Sequence, residues 1–366
     1  MFLVHGLVVA TWVSRIPALQ TRLALNNGVL GLTLLGAACG SVVAIPFCGW
    51  LIARAGSRRV TAWSTFGFCF ALLPLTLASN AAELACALFL LGAMGATMDV
   101  AMNVQGVEVE QALGAPTMSR FHAMFSIGAM AGAGLGGLAA ARSIVPREHF
   151  AAAAVAYAAI AAVFAPGMMK TGHAPEHAHR LPFRKIPAGL LAVSAIAFCI
   201  LLSEGAMADW TAVYLRQVLR TGAGTAAAGY AVFSAAMAIF RLLGDAITAH
   251  LGNVRTVRTG SLVAGAGVLC AIAAPSAFWA FPGLAAAGAG FSVIVPLAFG
   301  AGGRVTNVSP GAGVATVTGL GYIGFLFGPP TIGFIAHALT LRYGLGVVVL
   351  ACLVACALAG RVPERG

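Results

Sequence analysis

Charge is what this chain has least of. Asp, Glu, Lys and Arg make up 8% of its 366 residues, while 60% are hydrophobic; a soluble domain carries about 25% charged residues. So small a charged fraction excludes a water-solvated globule. Catalytic signatures are missing as well. There is no Walker loop, no H-E-x-x-H and no nucleophile elbow, so no enzyme activity, metal or cofactor is expected. Gly132, Gly134 and Gly137 spell G-x-G-x-x-G, but inside an apolar run and outside any βαβ unit, so they mark no dinucleotide site. The eight cysteines all fall in apolar runs without paired ligand spacing or a disulfide framework, and read as buried free thiols. The net charge of +11 is scattered through short loops instead of lining one polar face, which sets nucleic acid aside as a partner. The first twenty residues lack the basic n-region and small-residue cleavage site of a signal peptide. They read as a first spanning helix whose beginning is clipped.

What the chain does have is apolar runs of about 20 residues from end to end, each long enough to cross a bilayer as a helix. Twelve are expected, at about 1–20, 28–53, 60–79, 82–105, 121–142, 148–169, 187–215, 226–250, 255–275, 277–301, 311–337 and 342–361. Most connections are tight. The long one, 170–186, holds Lys170, Arg180, Arg184 and Lys185 and reads as a cytoplasmic linker between halves 1–169 and 187–366. The halves repeat at an offset of 196: Gly56 matches Gly252, Arg59 matches Arg255, Gly92 matches Gly288, Pro116 lies near Pro310, and Gly128, Gly132 and Gly137 match Gly324, Gly328 and Gly333. The expected fold is therefore an all-α polytopic membrane protein with twelve transmembrane helices in two six-helix bundles. With both termini cytoplasmic, thirteen Lys and Arg fall on the cytoplasmic side and seven on the other, as the positive-inside rule requires. A monomer spanning a membrane is expected.

The second span closes on Gly49-Trp-Leu-Ile-Ala53-Arg54-Ala-Gly56-Ser-Arg58-Arg59. A tight glycine turn places Arg54, Arg58 and Arg59 at a helix C-terminus, where cations complement the dipole. Plain positive-inside anchoring explains the same residues. The stretch resembles the loop signature of the major facilitator superfamily, with Ala53 at the position of that signature's Asp. Together with twelve spans and a parallel six-span repeat, this makes the chain similar to that superfamily over nearly its whole length. The resemblance implies a secondary transporter working by alternating access.

Asp99 sits well inside the fourth apolar run, where an acid costs roughly +2.5 to +3.5 kcal/mol to insert. Asn103 follows on the same helix face. The fifth run holds His122 and then a series of glycines that permit close helix approach. These spans resemble the fucose–proton symporter group and its bacterial relatives: an acid, three residues and Asn (with Val104 in place of Pro), then His122-x-x-Phe125-x-x-Gly128. The resemblance implies that Asp99 binds the proton and Asn103 touches solute. A structural acid satisfied by a hydroxyl or amide is the other reading of Asp99, and His122 serves either the site or a loop-anchoring hydrogen bond. That group also uses an acid in its first span; here the first span offers only His5 and Arg15.

Glu204 and Asp209 in the seventh run lie about 140° apart on an unbroken helix. Glu204 reads as a second titrating or substrate-binding acid, Asp209 as a substrate ligand or a solvated end group. Trp12 and Trp210 occupy similar places in the two halves, as an aromatic wall for a sugar face or as an interfacial belt. Arg241 and Asp245 stand four apart and are expected to pair, as a helix-stabilising couple or a gate. Pro329 and Pro330 are expected to bend the eleventh span. The function expected is proton-coupled symport of a small polar, sugar-like solute. The alternative is proton-coupled efflux of amphipathic compounds or metabolites, which Met98, Met102 and Met207 would suit.

Overall fold

The computed structural model describes residues 1–114, 117–169, 186–305 and 308–363. Pro116 and all of the expected linker except Ile186 lie outside the described residues. Within them the chain is all-helical, and twelve stretches are long and apolar enough to span a membrane. The helices are α1 Phe2–Arg22, α2 Asn27–Ala55, α3 Ser57–Phe70, α4 Leu72–Leu77, α5 Ala81–Leu113, α6 Met118–Ala141, α7 Pro146–Phe164, α8 Ala188–Gln217, α9 Ala223–Leu242, α10 Gly244–Leu251, α11 Asn253–Ala273, α12 Ala277–Phe291, α13 Ile294–Gly302, α14 Pro310–Ala338 and α15 Leu341–Leu358.

Two spans are interrupted for the same chemical reason. Pro74 lies third in α4 and Pro296 third in α13. Each lacks the N–H that would bond the carbonyl four residues back, so the third span breaks at Ala71 and the tenth at Ser292. Pro329 and Pro330, by contrast, sit inside a helix that stays continuous from Pro310 to Ala338.

The largest departure from expectation is at the end of the fourth span. The expected boundary near residue 105 is overrun: α5 continues to Leu113 and stops at Gly114, which is left-handed at φ +63°. The polar residues read as a loop are helical because they have partners. Gln105 donates to the Ser57 hydroxyl (2.7 Å), to Glu108 (2.9 Å) and to the Met169 carbonyl (3.1 Å), and accepts from the Met169 N–H (3.0 Å). Ser57 in turn donates to Glu108 at 3.1 Å. Arg58 reaches the Pro166 carbonyl at 3.1 Å, so two residues of the second-span signature tie the start of α3 to the chain leaving α7.

The 196-residue repeat is visible as contacts. A Cβ on Gly92 would collide with the Ala37 carbonyl, and one on Gly288 with the Phe233 carbonyl; both members of the pair shift by 196. A Cβ on Gly128 would likewise strike Leu3, and on Gly324 Phe198. These close approaches let backbones touch where packing drives helix association. Gly56 and Gly252, also 196 apart, both end helices with positive φ, +81° and +78°. Overpacking at such a contact costs about 1–3 kcal/mol. Gly92→Leu and Gly288→Leu are each expected to lower the melting temperature of the purified protein by several degrees. Gly134→Leu, at a position where an added Cβ meets nothing within 4 Å, leaves it unchanged.

By its contacts the chain forms two compact units, Met1–Pro175 with Thr211–Ala231, and Glu176–Trp210 with Val232–Gly366. Within the first, residues 211–231 pack on α1 and α6: Gln217 donates to the Gln20 side chain at 2.9 Å, and Gly224 has no room for a side chain beside the Gly137 carbonyl. Many large apolar side chains face outward, Trp63, Phe164 and Phe278 among them, as lipid contact requires.

Candidate functional site

In the first unit, α5 carries Asp99 and Asn103 one turn apart. The Asn103 amide donates to the Asp99 carbonyl at 2.8 Å and to its carboxylate at 3.2 Å. Part of the cost of an intramembrane acid is thus offset from within its own helix. The second neighbour is one the sequence reading passed over. The His5 imidazole of α1 lies beside the backbone of Gly95, one turn before Asp99, and within electrostatic reach of that carboxylate. Its ring is held between Phe68 and Phe125, with centroids at 5.1 and 5.4 Å, and its buried Nδ1 has no hydrogen-bond partner among the described residues. An ionisable residue inside an apolar span was the signal available for it.

The fifth-span pattern contacts α1 throughout. His122 meets the Phe2 ring edge-on at 5.4 Å, Phe125 packs on His5, and Gly128 abuts Leu3. His122 therefore has a packing role on the same seam that positions His5.

In the second unit, Arg241 of α9 forms an ion pair with Glu204 of α8 at 3.6 Å; their side chains are 10% and 16% exposed. Arg241 Nε also donates to the Ser292 carbonyl at 3.3 Å. That oxygen is available because the residue four positions on is Pro296. Glu204 Oε1 is buried and without a hydrogen-bond partner among the described residues. The pairing expected from spacing was with Asp245; that residue lies beyond the α9/α10 break and is exposed. Helix α8 runs unbroken through Gly205, so Glu204 and Asp209 keep their angular separation. Trp12 and Trp210 are 5% and 0% exposed, and the Trp210 indole N–H has no partner among the described residues. Burial this deep does not fit an interfacial belt. Of the second-span signature, Arg54 lies over the Trp50 ring at 5.4 Å, Arg59 is exposed, and Gly49 is open around its Cβ position.

An all-helical polytopic chain with a repeated six-span contact pattern and charged groups held inside its helices is built as a membrane transporter. The Major Facilitator Superfamily description matches residues 1–320. The chain is 35% identical over 362 residues to an uncharacterized MFS-type transporter of Yersinia pestis, covering 99% of this chain and 94% of that one. Among solved structures, a D-xylose–proton symporter superposes with a TM-score of 0.77 at 15% identity, over 99% of this chain and 96% of that one. The transporter FucP, in its outward conformation, superposes at 0.63 with 16% identity, over 100% and 97%. At such identities the structural likeness is one of fold. The chain belongs to the Major Facilitator Superfamily: it is a multi-pass secondary transporter of small-molecule solutes, not an enzyme. The narrower resemblance to the fucose symporters reduces to that of a distant structural neighbour.

Proposed function

We propose that the protein couples solute movement to protons at Asp99, in symport of a small polar, sugar-like solute. The observation that carries the reading is a carboxylate set inside a spanning helix, hydrogen-bonded by Asn103 and within electrostatic reach of His5. Neutralising such an acid by protonation lowers the electrostatic obstacle to closing a dry cavity over it. Glu204, bound to Arg241, is the second charged element, with Asp209 and the buried Trp12 and Trp210 as further candidate solute contacts. In this reading the halves 1–169 and 187–366 are the two moving bundles, both termini are cytoplasmic, and the transporter works as a monomer. A proton crossing about 100 mV supplies roughly 2.3 kcal/mol, enough for about fifty-fold accumulation. The test is proton flux into liposomes holding the purified protein, screened with neutral sugars, organic acids and amphipathic cations. Alkalinisation of the outside on adding a sugar supports the proposal. Flux driven only by amphipathic compounds moving against protons replaces it with efflux.

A further inference from the structure

Two helix breaks in the second unit lie against each other. In the eighth apolar run α9 ends at Leu242 and α10 begins at Gly244; in the tenth, α12 ends at Phe291 and α13 begins at Ile294. The breaks touch. A Cβ on Gly244 would meet the Val293 side chain at 2.8 Å, so the missing side chain leaves the room that Val293 fills. Arg241, in the last turn of α9, crosses the same gap and donates from Nε to the Ser292 carbonyl at 3.3 Å. The two breaks form one joint, with Arg241 bound into it. Element ends of this kind are where helices absorb bending.

One arm of the guanidinium leads out of the joint. Nη2 of Arg241 reaches Glu204 of α8 at 3.6 Å. Helix α8 is continuous over 30 residues, so Glu204 stands on an unbroken helix beside a jointed pair. The contact is longer than a charge-assisted hydrogen bond, ordinarily about 2.7–2.9 Å. It therefore depends on the charge of Glu204 more than on directional bonding. The Ser292 carbonyl accepts from Nε whether or not Glu204 carries a proton.

We propose that Glu204 is a proton-released tether on this joint. Ionised, it holds the guanidinium, and with it the paired breaks, against α8. Protonated, it lets go, and the eighth and tenth spans bend at Leu243 and Ser292 while Arg241 stays with Ser292. This role acts on helix bending and stands apart from coupling at Asp99. Arg241 is the charged group that acts on Glu204. Asp209 projects about 140° away on α8, and Asp245 is exposed on α10. Helices α12 and α13 carry no titratable side chain. On the α14 side, Phe325 packs at Gly205 with Tyr322 stacked on it. That phenol, like the neighbouring thiols of Cys199 on α8 and Cys352 on α15, belongs to a class that ordinarily titrates above about pH 8.

Hydrogen–deuterium exchange of the full chain in detergent reads the joint without transport, in peptides covering 239–248 and 288–300. Rates are corrected for the intrinsic pH dependence of amide exchange. Glu204→Gln is expected to speed exchange in both peptides by about fivefold, the loss of one weak contact. Wild type taken from about pH 7.5 to about pH 5, a range in which carboxylates and not thiols or phenols titrate, should approach the variant, and the variant itself should stay flat. Pro296→Ala restores the N–H that closes the tenth span on Ser292. In that background neither Glu204→Gln nor the pH step should change 288–300. Gly92→Leu, a loss of stability in the first unit, and Asp99→Asn should leave both peptides at the wild-type rate. Failure of Asp99→Asn to uncouple transport thus leaves this result untouched. If Glu204→Gln does not fold, the pH series of wild type and Pro296→Ala decide. Equal exchange in wild type and Glu204→Gln, a wild type without a pH response, an equal increase in Gly92→Leu, or an effect that persists in Pro296→Ala overturns the proposal.

Discussion

Asp99→Asn should uncouple the transporter while leaving it able to exchange solute. Asparagine has the shape of a protonated aspartate and cannot release the proton. The variant is therefore fixed in the state that the loaded carrier is proposed to adopt. The Asn103 amide can still donate to the side-chain oxygen at position 99 and to the backbone carbonyl it already uses, so the helix keeps its local bonds. Solute-driven proton uptake in liposomes is expected to fall by roughly 100-fold or more, the size of effect seen when a group that carries a proton is removed. Counterflow of labelled solute across the same liposomes is expected to persist. Replacing Asn103 by Ala removes a hydrogen bond and leaves the acid, and costs only about 1 kcal/mol, or roughly fivefold. If concentrative uptake survives in a well-folded Asp99→Asn protein, Asp99 is a structural acid and the proposed coupling is wrong.

The helices were legible in the sequence because a bilayer imposes one strong rule, a long apolar run for each crossing. All twelve runs appear as helices close to the expected places. The repeat was legible because glycines at backbone contacts such as Gly92 and Gly288 have no substitute there. What could not be read was anything set by a partner far along the chain. The last turns of α5 look polar enough for a loop until Ser57 and Met169 are brought against Gln105. Spacing within one helix proposed Asp245 for Arg241, but the ion pair the fold supplies is with Glu204, 37 positions earlier (241 − 204). Pro296 was the indirect signal for that geometry, since it frees the carbonyl that orients the guanidinium. His5 stood in plain sight, yet its proximity to Asp99 depends on how α1 lies against α5 and α6.

That guanidinium carries the second large effect. Arg241→Met removes the partner of a carboxylate whose other oxygen is already buried and without a hydrogen bond, and it also strips the Ser292 carbonyl of its Nε donor. Breaking one side of a buried pair costs about 3–5 kcal/mol, most of it the penalty of the charge left behind. The residual exposure of both side chains places this pair at the lower end of that range. A drop in melting temperature of roughly 5–10 °C follows for a chain of this length. Glu204→Gln alone leaves an arginine that can still bond Ser292, so it should cost less. The double variant, Glu204→Gln with Arg241→Met, should regain much of the loss, because no charge remains to be compensated. Arg241→Lys keeps the charge but not the fork that serves carboxylate and carbonyl together, and is expected to fall between wild type and Arg241→Met. A double-mutant cycle on melting temperature measures the coupling directly. Additive losses, with no recovery in the double variant, would mean that the two residues do not act as a pair.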